Sequence, residues 1–238
     1  MPEASYLRLY RTGTLSRRIE AAWAMLARCE LCPHRCGVDR LSDKRGICRM
    51  ASLPKVSSWN LHPWEEPPIS GTRGSGTIFF SGCTGRCPFC QNYPISQFGY
   101  GDQVTVERLA GMMLELQRKG AHNINFVTPT HFVPQILAAL PHAIRGGLHL
   151  PLVYNTSGYE RVETLRLLED VVDIWLPDAK YADNQVARRL SGFKNYVEYN
   201  RAALREIWRQ VGDDLVVNQL GHAQRGLIIR HMILPEGL

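Results

Sequence analysis

No window of this sequence comes near the roughly 18 uninterrupted apolar residues that a membrane-spanning helix requires. The opening segment MPEASYLRLYRTGTLSRR lacks the apolar core of a secretory signal. Both absences lead to the expectation of a soluble, cytoplasmic protein with no membrane partner. Runs of five or six like charges are missing as well, and no aromatic platform is interleaved with the basic residues. The net charge is +6, with ten Lys/Arg against five Asp/Glu in residues 1–50 and 18 against 17 in the remainder. The basic end is therefore read as a solvated Arg-rich face and not as a nucleic-acid surface. None of the eight histidines forms a close H-x3-H pair, which leaves histidine-based metal catalysis without support. Solenoid repeats and low-complexity tracts are also absent.

What is present is a chain of 238 residues, 45% apolar and 21% charged, the balance of a globular α/β protein of one large domain with room for a small module. Residues 16–27 carry Ile19, Ala22, Trp23 and Leu26 at helical spacing, with Ser16 available as a cap. Residues 29–48, CELCPHRCGVDRLSDKRGIC, have too little apolar periodicity to fold by burial alone. Residues 51–76 read as irregular, and Thr77–Phe80 as a buried strand. Helices over 105–119, 133–144 and 160–169 then alternate with strands Ile124–Thr128, Leu152–Asn155 and Val171–Leu176. A long helical stretch over 183–210 has Gly192 as a possible break. Leu215–Asn218 and Leu227–Leu234 flank a polar turn that leads into a fifth parallel strand. This alternation predicts parallel βα units, wrapped into a barrel or laid in an open sheet.

All seven cysteines fall into two groups. Cys83, Cys87 and Cys90 form a C-x3-C-x2-C run directly after the first strand, and loops beyond the carboxyl ends of parallel strands are where βα folds bind ligands. Three thiolates hold three corners of an iron–sulfur cube and leave one iron open. A zinc site with a distant fourth ligand, or plain buried thiols, are the alternatives. Cys29, Cys32, Cys36 and Cys48, spaced C-x2-C-x3-C-x11-C, supply four thiolates, enough for zinc or for a fully ligated cluster. Either would order a segment without a core of its own, and His34 inside the loop is a variant ligand.

The three-cysteine run, with Phe89 just before its last cysteine, resembles the defining loop of the radical S-adenosylmethionine (SAM) superfamily. The longer segments GTIFFSGCTGRCPFCQNYPIS and NINFVTPTHFVPQIL are similar to homologues of pyruvate formate-lyase activating enzyme, a likeness covering most of the chain from about residue 29. The resemblance implies a [4Fe–4S] cluster on Cys83, Cys87 and Cys90, with SAM chelated to the open iron. It implies reductive cleavage of that cofactor to methionine and a 5′-deoxyadenosyl radical that abstracts hydrogen. An electron donor such as flavodoxin or ferredoxin, and a glycyl radical enzyme as protein substrate, are the implied partners.

Where many members carry Gly-Gly-Glu after the second strand, this sequence has Thr128-Pro129-Thr130-His131, so Thr128 and Thr130 are its candidates for the methionine amino group. Asn155-Thr156-Ser157 resembles the family's T-N-G segment, making Asn155 and Ser157 candidate cofactor contacts. Asp178-Ala179-Lys180 resembles its D-x-K segment, whose lysine approaches the cofactor carboxylate. Arg230 and His231 point to opposite faces of the last strand, and neither is assigned. The alternative to an enzyme is a non-catalytic iron–sulfur electron carrier, or a zinc module associated with nucleic acid.

The likeness further implies a partial (β/α)6 TIM-type barrel over residues 76–238, with an N-terminal helix, cysteine-rich metal-binding module and lead-in over 1–75. Only five of the six strands are visible. The chain stops at Leu234-Pro235-Glu236-Gly237-Leu238, where relatives run on, so a C-terminally truncated barrel with an open sheet edge is expected.

Overall fold

The computed structural model describes residues 3–234. The strands are β1 (Lys55–His62), β2 (Ser75–Phe80), β3 (Asp102–Gln103), β4 (Ile124–Val127), β5 (Leu152–Thr156), β6 (Ile174–Pro177), β7 (Val216–Val217) and β8 (Ala223–Leu227). The helices are α1 (Ser5–Arg11), α2 (Thr14–Ala24), α3 (Pro67–Ser70), α4 (Tyr93–Ser96), α5 (Val106–Arg118), α6 (Val133–Arg145), α7 (Val162–Leu167), α8 (Asn184–Ser191) and α9 (Tyr196–Val211).

Together they form an α/β fold around one mixed sheet of order β3-β1-β2-β4-β5-β6-β8-β7. Strands β2, β4, β5, β6 and β8 run parallel, with Ile78 opposite Phe126 and Phe126 opposite Tyr154. The parallel strands are buried almost throughout, as sheets covered by crossover helices must be. Ile78, Phe80, Phe126, Tyr154 and Trp175 build the core with Leu109, Met113 and Leu116 of α5 and Ile136, Leu137 and Leu140 of α6. The predicted helices over 105–119 and 133–144 agree with α5 and α6 to within a residue. Thr105 caps α5 by accepting a hydrogen bond from the Arg108 amide.

Three sequence readings are corrected. Residues 51–76 are not irregular, because Lys55–His62 pairs antiparallel with β2. Its serines and flanking prolines hide the alternation. The first helix is entered from Gly13 in a left-handed conformation and not from Ser16, and it follows the unforeseen α1, whose Tyr6 hydroxyl donates to the Leu150 carbonyl. The break read at Gly192 in the 183–210 stretch is present, α8 and α9 dividing where Gly192 adopts φ +71°. The fifth parallel strand lies at Ala223–Leu227 and not Leu227–Leu234. The Asn218 side chain accepts from the Leu220 and His222 amides, which tightens the turn so that the strand begins immediately after it. Beyond β8 the Ile228 amide donates to the Trp175 carbonyl and Arg230 bridges to Asp178, continuing the pairing. Residues 235–238, where the expected truncation was read, lie outside the described residues.

Candidate functional site

The Cys83–Cys90 loop leaves the carboxyl end of β2 and folds back against α8. All three of its cysteines are free thiols. The Gly85 amide donates to Cys83 Sγ at 3.3 Å, Cys87 Sγ lies 2.8 Å from Ser191 Oγ, and Cys90 Sγ lies 3.2 Å from Ser96 Oγ. Burial pushes the Cys83 thiol up to about 12. Cys87 is raised by the same cause, against the opposing influence of the Ser191 hydroxyl and the Lys180 ammonium. Iron and zinc load such sites by displacing thiol protons. Phe89 packs on an aromatic wall of Tyr159, Tyr181, Phe193 and Tyr196, and this wall positions the loop.

Beside the loop, the ends of β5, β6 and β8 present a polar network. Arg230 donates to Asp178 Oδ1 at 3.0 Å, to Asn155 Oδ1 at 2.6 Å and to Glu65 Oε1 at 3.2 Å. Lys180 Nζ lies 2.7 Å from Asp178 Oδ2, with both side chains nearly buried. Asn125 and Asn155 each donate to Glu65 Oε2 at 2.9 Å. Two carboxylates and two cations thus share one cluster. Tyr196 ties the loops behind it, donating to the Ser157 and Asp178 carbonyls and accepting from the Lys180 amide.

The structure therefore brings Asn155, Asp178 and Lys180 together, with Ser157 adjoining through its backbone. The side chains of Thr128 and Thr130 do not join that cluster. Thr128 takes φ +58° at the end of β4, and its amide donates to the Asn155 carbonyl. A non-glycine residue in this region is strained. Thr130 is buried and donates to Glu160 Oε1 at 2.5 Å, and Thr156 binds the same oxygen. Burial raises the Glu160 carboxyl to about 7. Sequence reasoning missed Glu65, which sits in a proline-rich segment without periodicity, and it left Arg230 unassigned. The arginine's inward face is set by its bridge to Asp178.

The N-terminal cysteines lie against this site. Cys29, Cys32 and Cys48 are buried, and Cys36 accepts from the Ile47 amide at 3.4 Å. His34 Nε2 donates to the Thr84 carbonyl at 2.7 Å, so the variant ligand of the sequence reading has one ring nitrogen engaged elsewhere. Arg86 reaches the Ile47 carbonyl from the opposite direction. A Cβ on Gly82 would lie 2.6 Å from the Cys48 carbonyl oxygen, so only glycine permits this approach. Among the described residues no three His, Cys, Asp or Glu side chains are placed to hold a single metal ion. A cube distributes its thiolates over separate irons and does not need that convergence. Zinc would need the N-terminal thiols drawn to about 2.3 Å from one point. The loop's donor set, three thiols of one turn at a strand end, fits the three-cornered ligation of a cluster.

A thiol-rich loop after the first parallel strand, facing polar strand ends, is the arrangement of a cofactor-binding βα protein. Residues 77–217 match the Radical SAM superfamily, and the chain belongs to it. It is similar to an uncharacterized protein of Methanocaldococcus jannaschii, MJ0674, at 31% identity over 240 residues, covering 98% of this chain. The chain spans 64% of the length of that relative. A solved structure titled "Structure of TYW1 with a lysine-pyruvate adduct bound" is similar at a TM-score of 0.42 and 13% identity, covering 75% of this chain and 66% of that one. So distant a likeness does not inform the site. Among the described residues no helix is long and apolar enough to cross a membrane.

Proposed function

We propose that the chain is a radical SAM enzyme that holds a [4Fe–4S] cluster on Cys83, Cys87 and Cys90. In this reading it belongs to the branch of pyruvate formate-lyase activating enzymes and is built as a partial (β/α)6-type barrel. The observation that carries the reading is the pairing of a three-thiol loop, one ligand short for a cube, with a charge-balanced polar cluster beside it. When bound, the cluster and SAM supply reductive cleavage to a hydrogen-abstracting 5′-deoxyadenosyl radical.

The chain's own residues bind and orient. A methionine moiety carries one ammonium and one carboxylate, and the cluster offers two acids and two bases already paired. Bound SAM would have its amino group beside Asp178 or Glu65 and its carboxylate beside Lys180 or Arg230. Each exchange swaps one ion pair for another and strands no buried charge. Asn155 and Ser157 offer amide and hydroxyl groups to the ribose. Thr128 serves through its strained backbone, which turns the β4 loop toward the Asn155 carbonyl. The aromatic wall behind Phe89 covers one side of the loop. In this proposal the N-terminal cysteines hold a second metal group, zinc or iron–sulfur, the electron comes from a flavodoxin- or ferredoxin-like donor in the cytoplasm, and the hydrogen comes from a protein glycine.

Anaerobic reconstitution with iron and sulfide, reduction, and addition of SAM should yield 5′-deoxyadenosine and alter the cluster's electron paramagnetic resonance spectrum. Absence of both effects overturns the reading. Cys87→Ala should abolish cleavage. Cys32→Ala should mainly lower stability or electron supply, and complete loss of cleavage in a well-folded Cys32→Ala chain would contradict that division.

A further inference from the structure

Each sulfur of the Cys83–Cys90 loop has a hydrogen-bonding neighbour, and in each case the bond runs toward the sulfur. At Cys83 the neighbour is the Gly85 amide at 3.3 Å, which can only donate. At Cys90 it is the Ser96 hydroxyl at 3.2 Å, and Gln97 fixes the sense of that contact. The Gln97 side-chain nitrogen donates to the Gly85 carbonyl at 3.3 Å, an oxygen that can only accept. The same nitrogen donates to Ser96 Oγ at 3.1 Å. Having accepted that bond, Ser96 has its single proton left for Cys90.

At Cys87 the neighbour is the Ser191 hydroxyl at 2.8 Å, and Tyr181 Oη lies 2.5 Å from the same oxygen. Both residues are buried, and among the described residues the tyrosine hydroxyl has no other hydrogen-bond partner. A buried O–H without an acceptor forfeits its hydration, so Tyr181 donates to Ser191 and Ser191 in turn to Cys87. The reverse order would orphan the tyrosine proton and leave the sulfur without a donor.

Both hydroxyls are held from outside the loop. Ser191 ends α8, and its carbonyl also accepts from the Arg86 amide at 2.9 Å. Ser96 ends α4, whose first residue, Tyr93, donates its amide to the Cys90 carbonyl at 3.2 Å. A neutral thiol is a weak acceptor and gains little from such donors. A sulfur that has given up its proton gains about twice as much from each, because hydrogen bonds to charged acceptors are the stronger kind.

We propose that Ser191 and Ser96, backed by Tyr181 and Gln97, are positioning residues that stabilise negative charge on the sulfurs of Cys87 and Cys90 and so raise the reduction potential of the iron–sulfur group the loop carries. This rests on the reading of the loop as a cluster site. Hydrogen bonds to sulfur are among the factors that set a cluster's potential, and they favour the reduced form because it carries more negative charge. Both serines act through the cysteines.

The test uses the full chain, reconstituted anaerobically with iron and sulfide. The potential is read from the electron paramagnetic resonance signal that SAM alters, which separates the Cys83 loop from a cluster on the N-terminal cysteines. Ser191→Ala and Ser96→Ala should each lower the reduced-to-oxidised ratio at a fixed poise about three- to tenfold, tenfold being about 59 mV for one electron. Tyr181→Phe and Gln97→Met leave the serine protons free to reach sulfur unaided, and should move the ratio the same way by less than about twofold. An unchanged or higher potential in both serine variants, with the SAM-sensitive signal present, overturns the proposal and leaves the cluster reading standing. A shift from Tyr181→Phe as large as that from Ser191→Ala assigns the effect to repacking and also overturns it. A parent chain that takes up no iron, or gives no signal that SAM alters, overturns both. The two serines lie on different helices, so if melting shows one variant misfolded, the other decides.

Discussion

Glu160 and His131 are both fully buried, and they pull the pH dependence of stability in opposite directions. Burial raises the Glu160 carboxyl to about 7, so the folded chain holds its proton more tightly than the unfolded chain. The stability it contributes is complete below the unfolded value near 4.5 and is lost as pH rises through about 7. His131 is held down at about 3 from an ordinary 6.5, so its contribution is present above 6.5 and is lost as pH falls toward 3. Between those limits the two slopes partly cancel. Glu160→Gln keeps the neutral shape and removes one slope. The variant should gain on the parent by up to roughly 3 kcal/mol between pH 4.5 and 7, read as the difference in Tm between the two chains across that interval. Identical profiles would show that Glu160 is ionised at its usual value.

At the scale of elements, the site depends on how the β5 and β6 loops interlock. Gly158 adopts φ +70°, and a Cβ there would lie 2.1 Å from the Asp178 carbonyl oxygen and 2.3 Å from Asn200 Nδ2. Asn200 in turn donates to the carbonyls of Gly158 and Asp178. Gly158→Ala should therefore cost about 3 kcal/mol or more, through strain and displacement of backbone, measured by denaturant unfolding. On the proposed reading it should also weaken SAM binding, by shifting Asp178. Gly192→Ala meets nothing within 4 Å and should cost only the left-handed strain, about 1 kcal/mol. What was legible in the sequence follows the same physics. Amphipathic α5 and α6 and the apolar runs of β2, β4, β5 and β6 announce themselves because burial selects their residues. Lys55–His62 did not, since a hairpin strand half-facing solvent between prolines carries serines where a core strand carries valines. The cysteines were visible as spacing, and Asn155, Asp178 and Lys180 through their likeness to family segments. Glu65 was not, because one of two adjacent acids in PWEEPP acquires its role only when β1 and α3 bring it beneath β4, β5 and Arg230.

In the whole molecule, the two cysteine groups are one construction. His34 on Thr84, Arg86 on Ile47 and the Cys48 carbonyl against Gly82 join them without any covalent link. Gly82→Ala should force this seam apart while leaving every thiol in the chain. The expected outcome is a folded protein whose N-terminal loop becomes sensitive to limited proteolysis and whose two cysteine groups, on the proposed reading, take up metal independently. Unchanged proteolysis would show that the seam does not hold the module. The sheet itself ends on β3 and β7, two exposed residues each, too short to template a further strand. The open edge anticipated from the length of the chain is thus narrow on both sides of the described sheet.

The pairing of Glu65 and Asp178 with Lys180 and Arg230 has a kinetic corollary. A balanced quartet projects almost no field beyond a Debye length, so it neither draws in nor repels a charged visitor from a distance. On the proposed reading SAM is recognised on contact, by exchange of partners. Association with SAM should accordingly vary less than about threefold between ~50 and ~500 mM salt, whereas Lys180→Met, which leaves an acid in excess, should make the same rate fall visibly as salt rises.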